Sequence, residues 1–358
     1  MSDKIKVGIL YGGKSVEHKI SIRSAKNIYQ YIDRNLYEPL LFGIDISGKW
    51  FLCENIEEPI SQGVPLSLML DTTNPSFYYA GKTIKPDIFF PMLHGTNGED
   101  GSVQGMLQML EIPFVGSGIP GSSLSMSKLV SKQLFQHHNI PTARFLSFDK
   151  SQKSTISFQE VTARLGLPLI VKSANLGSSV GVNKVTDEAT FHYAIGDAFK
   201  YDNSLLIEEF ITGRELECAI LGNENPLVTD PGEILIKKDY DFYSFDAKYV
   251  DGEAVDINIV AEMDVHEKEQ AKKLSLMAYQ ALHCADFARV DLFLTKKGDI
   301  FVNEINTIPG FTNSSMFPMM CGQNGITFSG LITRLIKLAF ERTKKTKDIT
   351  THFNTTLE

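Results

Sequence analysis

The sequence predicts an α/β and α+β chain, with an open α/β domain first and mixed α+β units after it. Three observations carry this. An apolar strand pattern near the N-terminus ends in two glycines and runs into a helix. Strand and helix patterns alternate through the middle of the chain. A hairpin signal at Lys297-Gly298 sets two carboxylates face to face. At 358 residues the chain exceeds one ordinary core, so two or three domains are expected.

Taken in order, Lys6-Val7-Gly8-Ile9-Leu10-Tyr11 reads as a buried parallel strand broken by Gly12-Gly13. Ser15 is expected to cap a helix running to about Tyr31. That would aim Glu17 and the helix N-terminus over the strand's carboxyl end, where open α/β sheets bind ligands. Strands at 40–42 and 87–90 lead to the loop His94-Gly95-Thr96-Asn97-Gly98-Glu99-Asp100-Gly101, and Gly116 to Gly121 punctuates the end of the first domain. A helix over about 122–138 should stop before Ile140-Pro141, because the residue before proline disfavours helical geometry. A short buried strand at 168–172, a Gly/Ser-rich turn, a strand at 180–185, a helix at 187–200 and a strand at 205–209 make a small α+β unit. Beyond Gly213 come further strands, then a polar stretch at 237–256 that is long enough to read as a lid. A helix near 265–283, the hairpin, and an amphipathic C-terminal helix (Phe328, Leu331, Ile332, Leu335, Ala339) follow.

Composition narrows the class. Apolar residues at 43% and charged ones at 22% are those of a globular protein. A net charge of −8 argues against nucleic acid, which recruits clustered positive charge. The four cysteines (Cys53, Cys218, Cys284, Cys321) show no CxxC spacing, as expected of reduced thiols in the cytoplasm. No apolar stretch reaches the length of a membrane span.

The hairpin is the most telling feature. A two-residue loop at Lys297-Gly298 makes paired positions sum to 595, so Asp291 falls opposite Glu304 and Arg289 opposite Asn306, all on one face. Like charges directly opposite destabilise a sheet. A divalent cation would resolve the conflict, and the oxygen-only set of Asp, Glu and Asn suits Mg²⁺. The plainer alternative is a solvated polar face. Lys172 to Gly181 joins two strands through small residues whose N–H groups can wrap anionic oxygens, with Lys172 adding charge; an ordinary turn would look similar. Lys128 on the preceding helix is a second candidate for phosphate. Ile207-Glu208-Glu209-Phe210-Ile211, followed by Glu215, could meet a base and a ribose, although generic surface acids would read alike. His94 reads equally as a core histidine.

Two motifs mislead. Gly116-Ser117-Gly118-Ile119-Pro120-Gly121 fits GxGxxG but holds Pro120 and lacks an acid about twenty residues on, so dinucleotide binding is rejected. Gly177-Ser178-Ser179-Val180-Gly181 fits the hydrolase elbow GxSxG, which needs a helix where a strand is expected. A serine hydrolase using Ser179 and a non-catalytic ATP-binding module are the alternatives from other classes.

Together these blocks resemble the ATP-grasp ligases, and more narrowly the D-alanine–D-alanine ligase family. The resemblance spans nearly the whole chain. It rests on Tyr11 to His18, Leu93-His94-Gly95 with Gly98 to Gly101, Gly116 to Gly118, Val171-Lys172 with Gly177 to Gly181, Lys248-Tyr249, Arg289-Val290-Asp291, and Asn303 to Thr307 with Pro309-Gly310. It implies a three-domain ATP-grasp architecture, with a Rossmann-like domain over 1–121, a central domain over 122–212 and a C-terminal domain over 213–358. The implied activity is ATP-dependent joining of two D-alanines for peptidoglycan precursors, with D-lactate as the runner-up second substrate.

By resemblance, Glu17 and His94 would serve the first D-alanine, and Glu17, Ser178 and Tyr249 would form a hydrogen-bonded triad. Lys128, Lys172 and Lys248 would contact phosphates, Glu208, Glu209 and Ile211 adenine, and Glu215 the ribose, with Ser178 also among the ATP-binding residues. Asp291, Glu304 and Asn306 would hold two Mg²⁺ ions, with Mn²⁺ as a substitute. Arg289 and the Gly310 backbone would stabilise the oxyanion, while Ser315 and Met316 would hold the second D-alanine. A homodimer without membrane or nucleic-acid partners is implied as well. Val171-Lys172-Ser173 replaces the usual Lys-Pro, and Ile308 stands where serine is common.

Overall fold

The computed structural model describes residues 4–71, 74–178, 180–237 and 255–347. Ile5–Gly12 is an inner strand of a five-stranded sheet, parallel to Tyr37–Ile44 on one side and to the edge strand Ile88–Pro91 on the other. Val7, Ile9, Leu10 and Tyr11 are at most 1% exposed, because both faces of this strand are covered. One face packs on the helix His18–Tyr31 and continues through Phe311 and Phe317 to Leu335 of the helix Phe328–Lys347. The first and last parts of the chain therefore share a core. The antiparallel strands Trp50–Cys53 and Val64–Pro65 extend the sheet, and a separate three-stranded sheet at 67–84 lies beside it.

Two antiparallel sheets follow. Asn183–Val185, Leu169–Ser173, Ser204–Glu209 and Phe145–Asp149 form the central one, backed by Glu188–Tyr201. Val255–Asn258, Gly232–Ile236, Gly213–Leu221, Phe287–Thr295 and Ile300–Asn306 form the last, backed by Val265–Ala281. The mixed α/β and α+β class and the three-domain architecture are as expected.

Four local expectations are corrected. The first helix begins at His18 with Glu17 as its cap residue, while Ser15 Oγ accepts from the Glu17 N–H at 3.1 Å. The helix expected over 122–138 is two, Ile119–Met126 and Lys128–His137. Ser127 leaves helical geometry (ψ 97°) and caps the second through the Val130 N–H. The strand expected from Val180 is shorter, Asn183–Val185. The hairpin register departs from the expected one near its turn. Thr295 N–H donates to Asp299 O at 2.9 Å, and Gly298 takes φ +85°, so the loop holds three residues and nearby pairs sum to 594. A bulge between Asp291 and Leu292, with Asn303 as the extra residue, then restores 595. Asp291 does face Glu304, but through two offsets that cancel.

Candidate active site

The central and last sheets enclose a cavity of about 490 Å³. Lys128, Lys172 and Glu208 line it, as do Asp291, Asn303 and Glu304. Glu209, Ile211 and Glu215 line the same space. Of the residues expected to meet ATP, Lys128, Lys172, Glu208, Glu209, Ile211 and Glu215 are therefore brought together. Ser178 is not part of this lining, and Lys248, like Tyr249 of the expected triad, is not among them. Lys248 and Tyr249, most of the lid stretch and Ser179 lie outside the described residues. The stretch leaves and returns through paired strands, and Lys237 and Asp256 at its two ends form an ion pair at 3.0 Å.

Each charge in the cavity has a partner. Lys172 Nζ is 2.9 Å from Glu208 Oε1 and 3.5 Å from Asn303 Oδ1. Lys132, fully buried and absent from the sequence-level candidates, lies 3.3 Å from the same Glu208 oxygen and donates to Thr142 Oγ1 at 2.7 Å. Burial pulls the Lys132 ammonium down to about 8 in spite of Glu208. Burial alone would push the Glu208 carboxyl up, but Lys132 and Lys172 outweigh it and hold it below the usual range. The Glu209 carboxylate is committed to Arg144, which reaches it at 2.6–2.7 Å. A base would meet Glu209 at its main chain.

On the hairpin, Arg289 grips Asp291 with Nε on Oδ1 at 2.6 Å and Nη2 on Oδ2 at 2.7 Å, and Asn306 Nδ2 donates to Oδ2 at 3.0 Å. Lys128 Nζ lies 3.2 Å from Glu304 Oε2 and donates to Leu176 O at 2.7 Å. Protein cations thus offset the carboxylate pair, which corrects the expectation that only bound ions could do so. The donors still fit a hard cation, since the partly exposed carboxylates of Asp291 and Glu304 line the cavity beside Asn303, with Asn306 hydrogen-bonded to Asp291. Among the described residues no cluster of three His, Cys, Asp or Glu is placed to hold a metal ion.

A second cluster abuts the Gly-rich loop. Ser178, at φ +55°, donates through Oγ to Glu17 Oε1. His94 is 4% exposed with Nε2 3.0 Å from Ser24 Oγ, and burial holds its pKa below the ordinary value. Ser24 Oγ also receives the Phe311 N–H at 3.3 Å, which links His94 to the segment after Gly310. Gly310 sits against Ser315, since a Cβ there would lie 3.0 Å from Ser315 Oγ. Ser315 precedes the helix Met316–Gln323, whose first residue is buried. Glu99 accepts N–H bonds from Gly95 at 2.7 Å and Ile308 at 3.1 Å, joining the first domain to the last. Burial, with Glu17 nearby, raises its carboxyl to about 8.

Lys132, Asn303, Glu99 and Glu217 are site residues that the sequence reading did not single out for a role. For Glu217 a signal existed, because it lies two residues from Glu215 on one strand and so shares its face.

The pattern of the family described as D-ala D-ala ligase N-terminus matches residues 6–117, and that described as D-ala D-ala ligase C-terminus matches 134–337. A D-alanine–D-alanine ligase of Shouchella clausii is 42% identical, over 97% of each chain. The solved D-alanine-D-alanine ligase of Coxiella burnetii superposes with a TM-score of 0.85 at 33% identity, covering 96% of this chain and 98% of that one. VanG D-Ala:D-Ser ligase of Enterococcus faecalis gives 0.86 at 32% identity, over 94% and 100%.

Proposed function

This chain belongs to the D-alanine–D-alanine ligase family, and we propose that its cleft joins two D-alanines at the expense of ATP to supply a peptidoglycan precursor. The γ-phosphoryl group passes to a carboxylate oxygen of the first D-alanine, giving an acyl phosphate and ADP. The amine of the second attacks the carbonyl carbon, the C–N bond forms, the C–O bond to phosphate breaks, and the amine sheds a proton. A bare carboxylate is a poor electrophile, so positioning and charge stabilisation are the protein's main tasks.

In this reading Lys128 and Lys172 hold phosphates, assisted by Lys248. Glu208, Ile211 and the Glu209 main chain meet adenine, and Glu215 meets the ribose. Glu17 and His94 orient the first D-alanine; Ser315 and Met316 orient the second. Arg289 and the Gly310 N–H stabilise the tetrahedral oxyanion. Asp291, Glu304 and Asn306 would hold two Mg²⁺ ions, or Mn²⁺ in their place. When bound, these ions supply charge neutralisation to the phosphates.

The observation that carries the reading is the Ser178–Glu17 hydrogen bond. It draws the phosphate-side loop onto the acid assigned to the first D-alanine, so that phosphoryl donor and acceptor share one enclosure. Tyr249 completes this latch from the lid. D-Alanine rather than D-lactate is the second substrate, on the strength of the Lys248-Tyr249 pair; the products formed across pH from D-alanine, D-serine and D-lactate decide it. We also take the domains as 1–121, 122–212 and 213–358, the assembly as a homodimer and the location as cytoplasmic. Among the described residues no helix is long and apolar enough to cross a membrane.

The direct test is ADP release with D-alanine against L-alanine, with and without Mg²⁺. Release that needs D-alanine and matches dipeptide mole for mole supports the ligase. ADP release indifferent to D-alanine overturns it. Labelling by a fluorophosphonate would favour the hydrolase alternative instead.

A further inference from the structure

Glu217 lies on Gly213–Leu221, outside every motif assigned so far. It is the register partner of Asp291, which is in turn the partner of Glu304, so three adjacent strands place three carboxylates in one row. Glu217 is 4% exposed, and a carboxylate so buried is costly without a cation beside it. That cation is Arg289, whose Nε lies 3.1 Å from Glu217 Oε2 as well as 2.6 Å from Asp291 Oδ1. The guanidinium fork closes on Asp291, since Nη2 also reaches Asp291 Oδ2 at 2.7 Å. A divalent cation bound at Asp291 would compete with this fork for the same two oxygens.

We propose that Glu217 is a positioning residue that retains Arg289 when Asp291 turns to a divalent cation. The guanidinium then stays pinned by Nε while its Nη atoms are released toward the reacting carbonyl. This rests on the oxyanion role given to Arg289 above. Without Glu217, Arg289 would lose one of the two carboxylates its Nε reaches and would hold Asp291 more firmly against the ion.

The test is a double-mutant cycle on the full-length chain, using Glu217→Gln, Arg289→Ala and the pair. Mn²⁺ binding in the presence of a non-hydrolysable ATP analogue is followed by electron paramagnetic resonance, alongside kcat and the KM for ATP. Glu217→Gln should weaken Mn²⁺ binding severalfold and lower kcat about tenfold through misplacement of Arg289, with the KM for ATP little changed. Arg289→Ala should tighten Mn²⁺ binding, and adding Glu217→Gln to it should change neither readout further. If Glu217→Gln acts equally in both backgrounds, Glu217 is an ion ligand or a structural acid and the proposal fails. It fails too if the single variant leaves Mn²⁺ binding unchanged. Glu217→Asp, which keeps the charge on a shorter arm, runs the same cycle should the glutamine variant not fold. Failure of the ligase reading would show separately, as no D-alanine-dependent ADP from the unmodified chain.

Discussion

Asp291 and Glu304 face each other across two antiparallel strands, yet neither carboxylate is left to repel the other, because Arg289 holds the first and Lys128 the second. The two cations offset the acids, Lys128 also lines the cavity, and in the proposed reading Arg289 meets the oxyanion as well. Arg289→Ala should lower kcat by at least about a hundredfold, the usual cost of one oxyanion donor. Near-normal turnover in steady-state assays would remove Arg289 from that role.

Lys128 tests the other half of the pair. Its ammonium joins Glu304 to the Leu176 carbonyl, so it ties the hairpin to the Gly-rich loop. A charge-assisted bond contributes about 1.5–3 kcal/mol. Lys128→Met should accordingly raise the KM for ATP by about tenfold or more. An unchanged KM would return Lys128 to the class of solvated helix lysines.

That ambiguity shows where the sequence was readable. The strand and helix patterns located the sheets, because burial on two faces or one leaves a periodic trace. The Asp291–Glu304 pairing was legible only by a cancellation: a three-residue loop at Gly298 and a bulge at Asn303 shift the register in opposite senses. Neither has a local signal strong enough to separate it from a simple two-residue turn. Lys132 was invisible for another reason. It sits four residues after Lys128 on the same helix, and what turns it inward is supplied by Thr142 and Glu208 from elsewhere in the fold.

Lys132 carries a pH prediction. Burial lowers its folded pKa from the ordinary 10.5 to about 8, so between these values the folded state binds fewer protons than the unfolded chain. Unfolding free energy must then rise with pH across that window, where an uncharged side chain would contribute nothing. Denaturant unfolding at pH 7.5 and 9.5 should show the parent gaining about 2 kcal/mol relative to Lys132→Met. A parallel response of the two proteins would mean that Lys132 titrates normally.

Gly95 tests the wall around Glu17. It takes φ +75°, and a Cβ there would lie 2.6 Å from Glu17 Oε2 and 2.8 Å from Ser15 Oγ. Gly48 takes φ +91° but would meet nothing within 4 Å. Alanine at either site should cost about 1–3 kcal/mol of stability from backbone strain. Only Gly95→Ala should also raise the KM for D-alanine, by displacing the Glu17 carboxylate. Equal KM values in the two variants would separate Glu17 from the first substrate.

The Ser178–Glu17 bond makes the sharpest prediction, because in the proposed reading it governs which nucleophile meets the acyl phosphate. If the loop is held on the first domain through this bond, water is excluded until the second amine arrives. Ser178→Ala removes the bond but keeps a side chain at φ +55°, whereas Ser178→Gly removes the bond and relieves the strain. Both should form more ADP than dipeptide, while only the glycine variant should match or exceed the parent in stability. Tyr249→Phe should show the same excess from the lid side. A ratio of one ADP per dipeptide in both Ser178 variants would mean that the loop is closed by other contacts, and that this hydrogen bond does not guard the intermediate.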